Sequence, residues 1–277
     1  MQVVEYATPA AFLERVTPTL GVAEAENNLL LGVAALVHAA GGRAFLATVE
    51  ECNELALAAL WTPPHRLVLS RATGDSVQCL VDYLRKRGRE PAGVLAASDT
   101  AWAFAHAWNL KSGASRVAFR ERIYELTEVS HPRAVGGQLR LAAQAEVELL
   151  SQWSQRFQVD AGLGSVTLEA ARKVVEDRVA SAMLFVWEVA GAAVSMAALA
   201  RPTATRVCVN YVYTPDALRS RGYAKSCVAA LSARALANGR AACCLFADLA
   251  NPVSTRVYTA IGYRPVVDVD VLDFVSS

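Results

Sequence analysis

Six residues in the second half of the chain, Arg219-Ser220-Arg221-Gly222-Tyr223-Ala224, have the form Arg-x-x-Gly-x-Ala and lie between an apolar run over 207–213 and a helical run over 223–238. Strand, tight turn and helix in that order constrain the local fold to a unit whose turn gathers backbone N–H groups. The first N–H groups of a helix have no intrahelical partner, and the helix dipole adds partial positive charge there. Gly222 lets the backbone turn sharply and approach a ligand closely. Arg219 and Arg221 add full charges. The anion such a turn suits best is a diphosphate.

The surrounding pattern is readable. The run over 207–213 is apolar on both alternating faces, which predicts a central strand. After the turn, Ala224, Cys227, Val228, Leu231 and Ala235 share a helix face, and Gly239 is a C-terminal stop. A buried strand follows over 242–246, then a short helix over 252–261 between Pro252 and Gly262. Val267, Val269 and Val271 alternate with Asp268, Asp270 and Asp273, the pattern of a half-exposed strand. Upstream, 141–157 has helical spacing, and Thr167 is an N-cap candidate for a helix to about residue 180. Runs over 183–187 and 193–199 flank Gly191 as a hairpin. The order is two helices, three antiparallel strands, helix, strand, helix, strand.

The first half has a similar rhythm: helices over 11–20 and 26–38, strands over 44–49, 55–60 and 66–70, a helix over 76–86, a strand over 92–97, a helix over 100–108 and a strand over 116–126. Two halves of similar order suggest structural duplication without an obvious sequence repeat. At about 100–200 residues per domain, 277 residues predict two domains. The loop over 131–137, with Pro132, Gly136 and Gly137, is the boundary candidate, giving domains over 1–130 and 131–277.

Composition narrows the function classes. A net charge of +1 gives no overall field for nucleic acid or an anionic membrane. The longest uncharged apolar stretch, 29–40, is far short of the roughly 20 residues of a membrane span. The first residues lack the pattern of a secretory leader. Of six cysteines none forms a C-x-x-C pair, and the four histidines lack metal-ligand spacing. Free, mostly buried thiols, no metal site and a cytoplasmic location are expected.

About residues 138–277 resemble the GNAT superfamily of acyl-CoA-dependent N-acetyltransferases. The resemblance rests on Tyr211-Val212-Tyr213-Thr214-Pro215, on the turn from Arg219 to Ala224, on Asn251-Pro252-Val253-Ser254-Thr255-Arg256-Val257-Tyr258 and on Ile261-Gly262-Tyr263. It implies an α/β (mixed α+β) fold, a central mixed, mostly antiparallel sheet flanked by helices, in two such domains in tandem. It implies acetyl-CoA as cosubstrate, its pyrophosphate on Arg219, Arg221, Gly222, Tyr223, Ala224, Lys225 and Ser226. Its pantetheine would pair with the strand edge at Tyr211, Val212 and Tyr213, where a backbone N–H stabilises the developing oxyanion. Asn251 and Ser254 would line the coenzyme, and Asn251 also suits a helix cap. Tyr258 would be the general acid for the leaving thiolate, since a phenol with pKa of about 10 is protonated at neutral pH. The turn-to-Tyr263 stretch also resembles the C-terminal part of glycine N-acyltransferase-like proteins; the bulk of Tyr211 and Tyr213 favours a short acyl group.

The partner expected is a small-molecule or peptide amine that attacks the thioester directly. The general base is the open point. Asn210 occupies the strand where some members of the superfamily carry a glutamate, Asp248 reads as a base or a capping aspartate, and Glu188 sits at the wrong end of the sheet. In the first half, Arg71-Ala72-Thr73-Gly74-Asp75-Ser76 nearly repeats the turn, but Asp75 puts negative charge where a pyrophosphate would lie, and no tyrosine matches Tyr258. A domain without chemistry is expected there. The rival reading is an acetyl-CoA-binding regulatory or scaffold protein without turnover.

Overall fold

The apolar runs of the first half become β1 (Gln2–Glu5), α1 (Pro9–Leu20), α2 (Asn28–Ala39), β2 (Phe45–Glu51), β3 (Glu54–Trp61), β4 (Leu67–Leu69), α3 (Ser76–Lys86), β5 (Gly93–Ala97), α4 (Ser98–Asn109) and β6 (Ala114–Leu126). The second half gives β7 (Gln138–Leu141), α5 (Val147–Asp160), α6 (Leu168–Ala180), β8 (Leu184–Val189), β9 (Ala192–Ala200), β10 (Arg206–Tyr213), α7 (Tyr223–Ala237), β11 (Ala242–Asp248), α8 (Pro252–Ile261) and β12 (Arg264–Val275). This computed structural model describes residues 1–109, 114–131 and 135–275. Thr8 and Thr167 cap α1 and α6 through their hydroxyls, each cap contributing about 1 kcal/mol.

Contacts gather the chain into two units. One holds Met1–Tyr124, Phe246–Pro252 and Pro265–Ser277, the other Glu125–Leu245 and Val253–Arg264. Pro132 of the expected boundary loop lies outside the described residues. Both units run β-α-α-β-β-β-α-β-α. In the first, β1, β2, β3 and β4 pair antiparallel in turn, and β5 joins β4 in parallel. In the second, β7, β8, β9 and β10 do the same, and β11 joins β10 in parallel.

The last strand departs from this symmetry. β12 follows α8 in sequence, yet lies between β5 and β6 in the first unit, with Val269 opposite Ala97 and Asp273 opposite Gly93. Two causes are visible. A Cβ on Gly93 would stand 2.2 Å from the Leu272 carbonyl oxygen, so only glycine admits β12 this closely. The aspartates, expected on a solvated face, meet cations and donors of the first unit instead. Arg66 reaches Asp273 at 2.6 Å, Arg122 reaches Asp268 at 2.8 Å, and the Trp102 indole N–H donates to Asp270 at 2.7 Å. Val269, Val271 and Leu272 are buried.

Sheet faces are covered as the periodicities require. In the first unit, α1 and α2 bury Phe12, Val16 and Leu30 on one face, while α3 and α4 bury Leu80, Leu84 and Phe104 on the other. In the second, Leu150, Trp153 and Val175 of α5 and α6 pack on Leu184, Val186, Met196 and Ala198.

Candidate functional site

The turn before α7 contains two left-handed residues and leads into a helix without a side-chain cap. Ser220 (φ 62°) and Gly222 (φ 82°) are both left-handed and bracket Arg221, a conformation that turns successive N–H groups toward one concavity. No side chain caps α7, and its first turn has no acidic residue. Its leading N–H groups, from Tyr223 to Lys225, therefore lack the hydroxyl partner that α1 and α6 possess. Ser226 is buried, and its own N–H already donates to the Gly222 carbonyl at 3.0 Å.

The two arginines have different roles. Arg219 is a brace: it pairs with Asp160 at 2.6 Å and Asp216 at 2.9 Å, and donates to the Thr214 carbonyl at 3.0 Å. Arg221 is exposed and donates to the Ala217 carbonyl at 3.2 Å. Among the described residues no carboxylate pairs with Arg221, unlike Arg219.

β10 supplies an open backbone edge. Its pairing with β11 covers Arg206, Val207 and Cys208, and stops where Cys208 faces Cys244. Against β9, Asn210 faces Ala198 and Tyr213 faces Met196, so two residues of β10 oppose one of β9. Tyr211 takes up the bulge with φ 59°. The bulge sets Asn210 and Tyr211 on the same face. Tyr211 hydrogen-bonds Ser154 and packs on Phe157 at 4.9 Å; Tyr213 packs on Trp153 at 6.1 Å. Both rings thus pack on the α5 core. The Tyr213 carbonyl accepts from Ser195 at 3.0 Å. Val212 is half-buried.

Tyr258 projects from α8. Its ring meets Tyr263 edge-on at 6.0 Å. Burial, and then the nearby Cys208 thiol, push its hydroxyl up to about 12, although the residue as a whole keeps some exposed surface. The phenol is therefore protonated throughout the neutral range.

The turn, the bulge, Ser254 and Tyr258 all lie in the second unit, whereas Asn251 falls in the segment grouped with the first. The Asn251 N–H donates to the Asp248 carbonyl at 3.0 Å. Asp248 accepts from the Ala250 N–H at 2.8 Å, a capping contact rather than the posture of a base. Glu188 is tied to Arg140, which also holds Glu146 at 2.7 Å. Two residues escaped the sequence reading. Arg178 of α6 donates to Asn210 at 3.3 Å, and Arg201 donates to the Cys208 sulfur at 2.9 Å. The signal of Arg178 was weak because an arginine on a helix face ordinarily reads as solvated, and that of Arg201 because it stands in a loop after β9.

Among the described residues no group of three His, Cys, Asp or Glu is placed to hold a metal ion, and no helix is long and apolar enough to cross a membrane.

No protein-family model matches the chain, and no curated protein matches it. Solved structures do. A GCN5-related N-acetyltransferase from Sphaerobacter thermophilus superposes over 99% of this chain and 96% of its own, at 14% identity and a TM-score of 0.65. A GNAT-family acetyltransferase from Colwellia psychrerythraea covers 100% of both chains at 12% identity, with a TM-score of 0.61. A tandem GNAT protein from the clavulanic acid biosynthesis pathway covers 84% of this chain and 83% of its own, at 12% identity and a TM-score of 0.52. At such identities the likeness is one of fold, and the chain has a GNAT-like mixed α/β fold whose element order repeats along the sequence.

Proposed function

We propose that the second unit is an acetyl-CoA-dependent N-acetyltransferase and that the first carries no chemistry of its own. The observation that carries this reading is that β10 runs through a bulged edge toward an uncapped left-handed turn, with Tyr258 of α8 near Cys208 of the same strand. A coenzyme A substrate needs those three things: a cradle for diphosphate, backbone partners for its amides and a proton donor for its sulfur.

In this reading Arg221 and the N–H groups from Gly222 to Lys225 hold the pyrophosphate, with Arg219 and Ser226 fixing the turn's shape. The edge at Tyr211, Val212 and Tyr213 pairs with the pantetheine, and a bulge N–H faces the thioester oxygen. Asn251 and Ser254 border the coenzyme at the start of α8. The neutral amine attacks the carbonyl, the C–N bond forms, the C–S bond breaks, and Tyr258 donates a proton to the departing sulfur. With Asn210 in place of the strand glutamate and Asp248 engaged in a capping contact, water takes the amine's proton in this reading. Positioning of amine against thioester supplies much of the rate.

The test is release of free thiol from acetyl-CoA with a panel of primary amines. Turnover that falls in Tyr258→Phe while coenzyme binding persists supports the reading. Tight coenzyme binding without turnover on any amine favours the second reading, a coenzyme-binding regulatory or scaffold protein, for which Asn210 in place of a carboxylate speaks.

A further inference from the structure

Acyl transfer as proposed uses no cysteine, yet two fully buried thiols meet across β10 and β11. Cys208 faces Cys244 in register, at the last rung where the two strands pair. Residues paired across neighbouring strands point to the same face and stand about 4.8 Å apart, inside the roughly 4.4–6.8 Å that a disulfide spans between Cα atoms. The Cys244 thiol already donates to the Cys208 sulfur. On its other side Cys208 faces the small Ala200 of β9. The backbone thus stands where a bond between the two sulfurs needs it.

The two sulfurs are chemically unequal. Arg201 donates to the Cys208 sulfur at 2.9 Å, and an N–H donor on sulfur favours the thiolate, the reactive form. The Cys244 thiol is held well above its ordinary value, first by its contact with Cys208 and then by burial, so it keeps its proton. One attacking sulfur and one resolving thiol therefore stand side by side. The other cysteines are placed differently. Cys243, next in sequence, points to the opposite face and donates to the Ser232 carbonyl at 3.8 Å. Cys227 lies in α7, and Cys52 and Cys79 belong to the first unit.

We propose that Cys208 and Cys244 form an oxidation site whose substrate is a peroxide and whose product is a disulfide joining β10 to β11. Peroxide is small and neutral, and enters where the pairing of the two strands ends. The Cys208 thiolate attacks a peroxide oxygen, the O–O bond breaks, and Cys208 becomes a sulfenic acid while hydroxide leaves. The Cys244 sulfur then attacks the Cys208 sulfur, the S–S bond forms, and the sulfenic oxygen departs as water with the Cys244 proton. The two sulfurs give up two electrons between them, and the peroxide takes both. A dithiol reductant reverses the step.

The disulfide fixes the last paired rung of β10, just before the bulge at Tyr211. The Tyr258 hydroxyl is near enough to feel Cys208. Closing the pair therefore alters the surroundings of the proton donor. The loss of turnover expected from this rests on the acetyltransferase reading above; formation of the disulfide does not.

The experiment treats the full chain with hydrogen peroxide, removes the peroxide, blocks remaining thiols with iodoacetamide and maps the digest by mass spectrometry, with and without dithiothreitol. Two of the six thiols are expected to disappear into one cross-link between the Cys208 and Cys244 peptides, and dithiothreitol restores them. Cys243 adjoins Cys244, so Cys243→Ser must keep the cross-link and Cys244→Ser must lose it, with thermal melting to establish that both fold. Cys244→Ser is expected to stop at the Cys208 sulfenic acid, trapped as a dimedone adduct. Oxidised protein is expected to turn over acetyl-CoA about 10- to 100-fold more slowly than reduced protein, since small displacements at a reacting centre cost this much. A cross-link between other cysteines, or none in the folded chain at peroxide concentrations that oxidise exposed Cys52, overturns the site. A disulfide that leaves turnover unchanged overturns its effect on catalysis. The cross-link in a protein whose reduced form turns over no amine overturns the acetyltransferase reading and leaves the oxidation site standing.

Discussion

Two turns occupy the same place in the two units, 71–76 before α3 and 219–224 before α7, and they differ in whether positive charge is left available. Both follow a strand, open a helix and use a left-handed glycine, Gly74 at φ 53° and Gly222 at φ 82°. Arg71 is consumed by Glu26 at 3.1 Å and Asp99 at 2.7 Å. The Met1 side chain lies over Gly74, 2.9 Å from where a Cβ would stand. Between β4 and β5 there remains a space of about 20 Å³, enough for one water. In the second unit Asp160 and Asp216 take up Arg219 and leave Arg221 exposed. The helices that follow differ too. Counted from the first residue of each, Phe104 of α4 stands where Tyr258 of α8 stands. Phe104 is fully buried against Trp108 and Phe274. The two units thus differ at this place in a few charges and one hydroxyl.

Making the second unit resemble the first gives the largest effect. Tyr258→Phe puts the α4 side chain type into α8, and kcat is expected to fall about 10²- to 10⁴-fold with coenzyme affinity retained. Full activity in this variant removes Tyr258 from the chemistry. Next comes charge. Arg221→Glu is expected to weaken acetyl-CoA binding about 10- to 100-fold by calorimetry, while Arg71→Ala leaves it unchanged and lowers only the melting temperature. Equal weakening by both would mean that the turns are equivalent after all.

Smaller effects concern stability. Gly93→Ala forces a Cβ against Leu272 and is expected to cost about 1–3 kcal/mol, read as a lower melting temperature, whereas Gly191→Ala meets open space and costs backbone strain alone. Alkaline conditions separate the units again. Burial pushes the Cys227 and Cys243 thiols from 9.0 up to about 12, and Tyr258 and Tyr263 rise with them. A pKa raised by folding means that the protonated form is favoured in the folded state. That stability is complete below about pH 9 and disappears as pH climbs through the raised values. Thiol alkylation followed by peptide mass spectrometry should label exposed Cys52 at once and Cys227 and Cys243 only toward the alkaline end. Labelling of Cys227 at the rate of Cys52 near neutral pH would contradict the sign.

Much of this was legible in the sequence because the signals were local. The turn motif, the capping threonine at 167 and the hydrophobic periods placed the long elements within a few residues. β1 and β7 were missed, being strands of four residues too short to show a period. Leu141 extended the apparent helical period into β7, yet its side chain is exposed. The partners of β12 were illegible for another reason. Alternating Val and Asp describe a strand with one polar face, and only tertiary placement decides whether that face meets water or Arg66, Arg122 and Trp102. Sequence likewise marked Arg219 and Arg221 as equal cations. Their difference comes from Asp160, 59 positions away.

The placement of β12 bears on how the protein is made. Gly93 must wait for Asp273, about 180 positions later, before the sheet of the first unit has its strand between β5 and β6. On the ribosome the first unit therefore emerges early but closes late, with an unfilled slot in its sheet while the second is synthesised. A nascent chain of this design needs the slot kept from pairing with other strands until its own arrives.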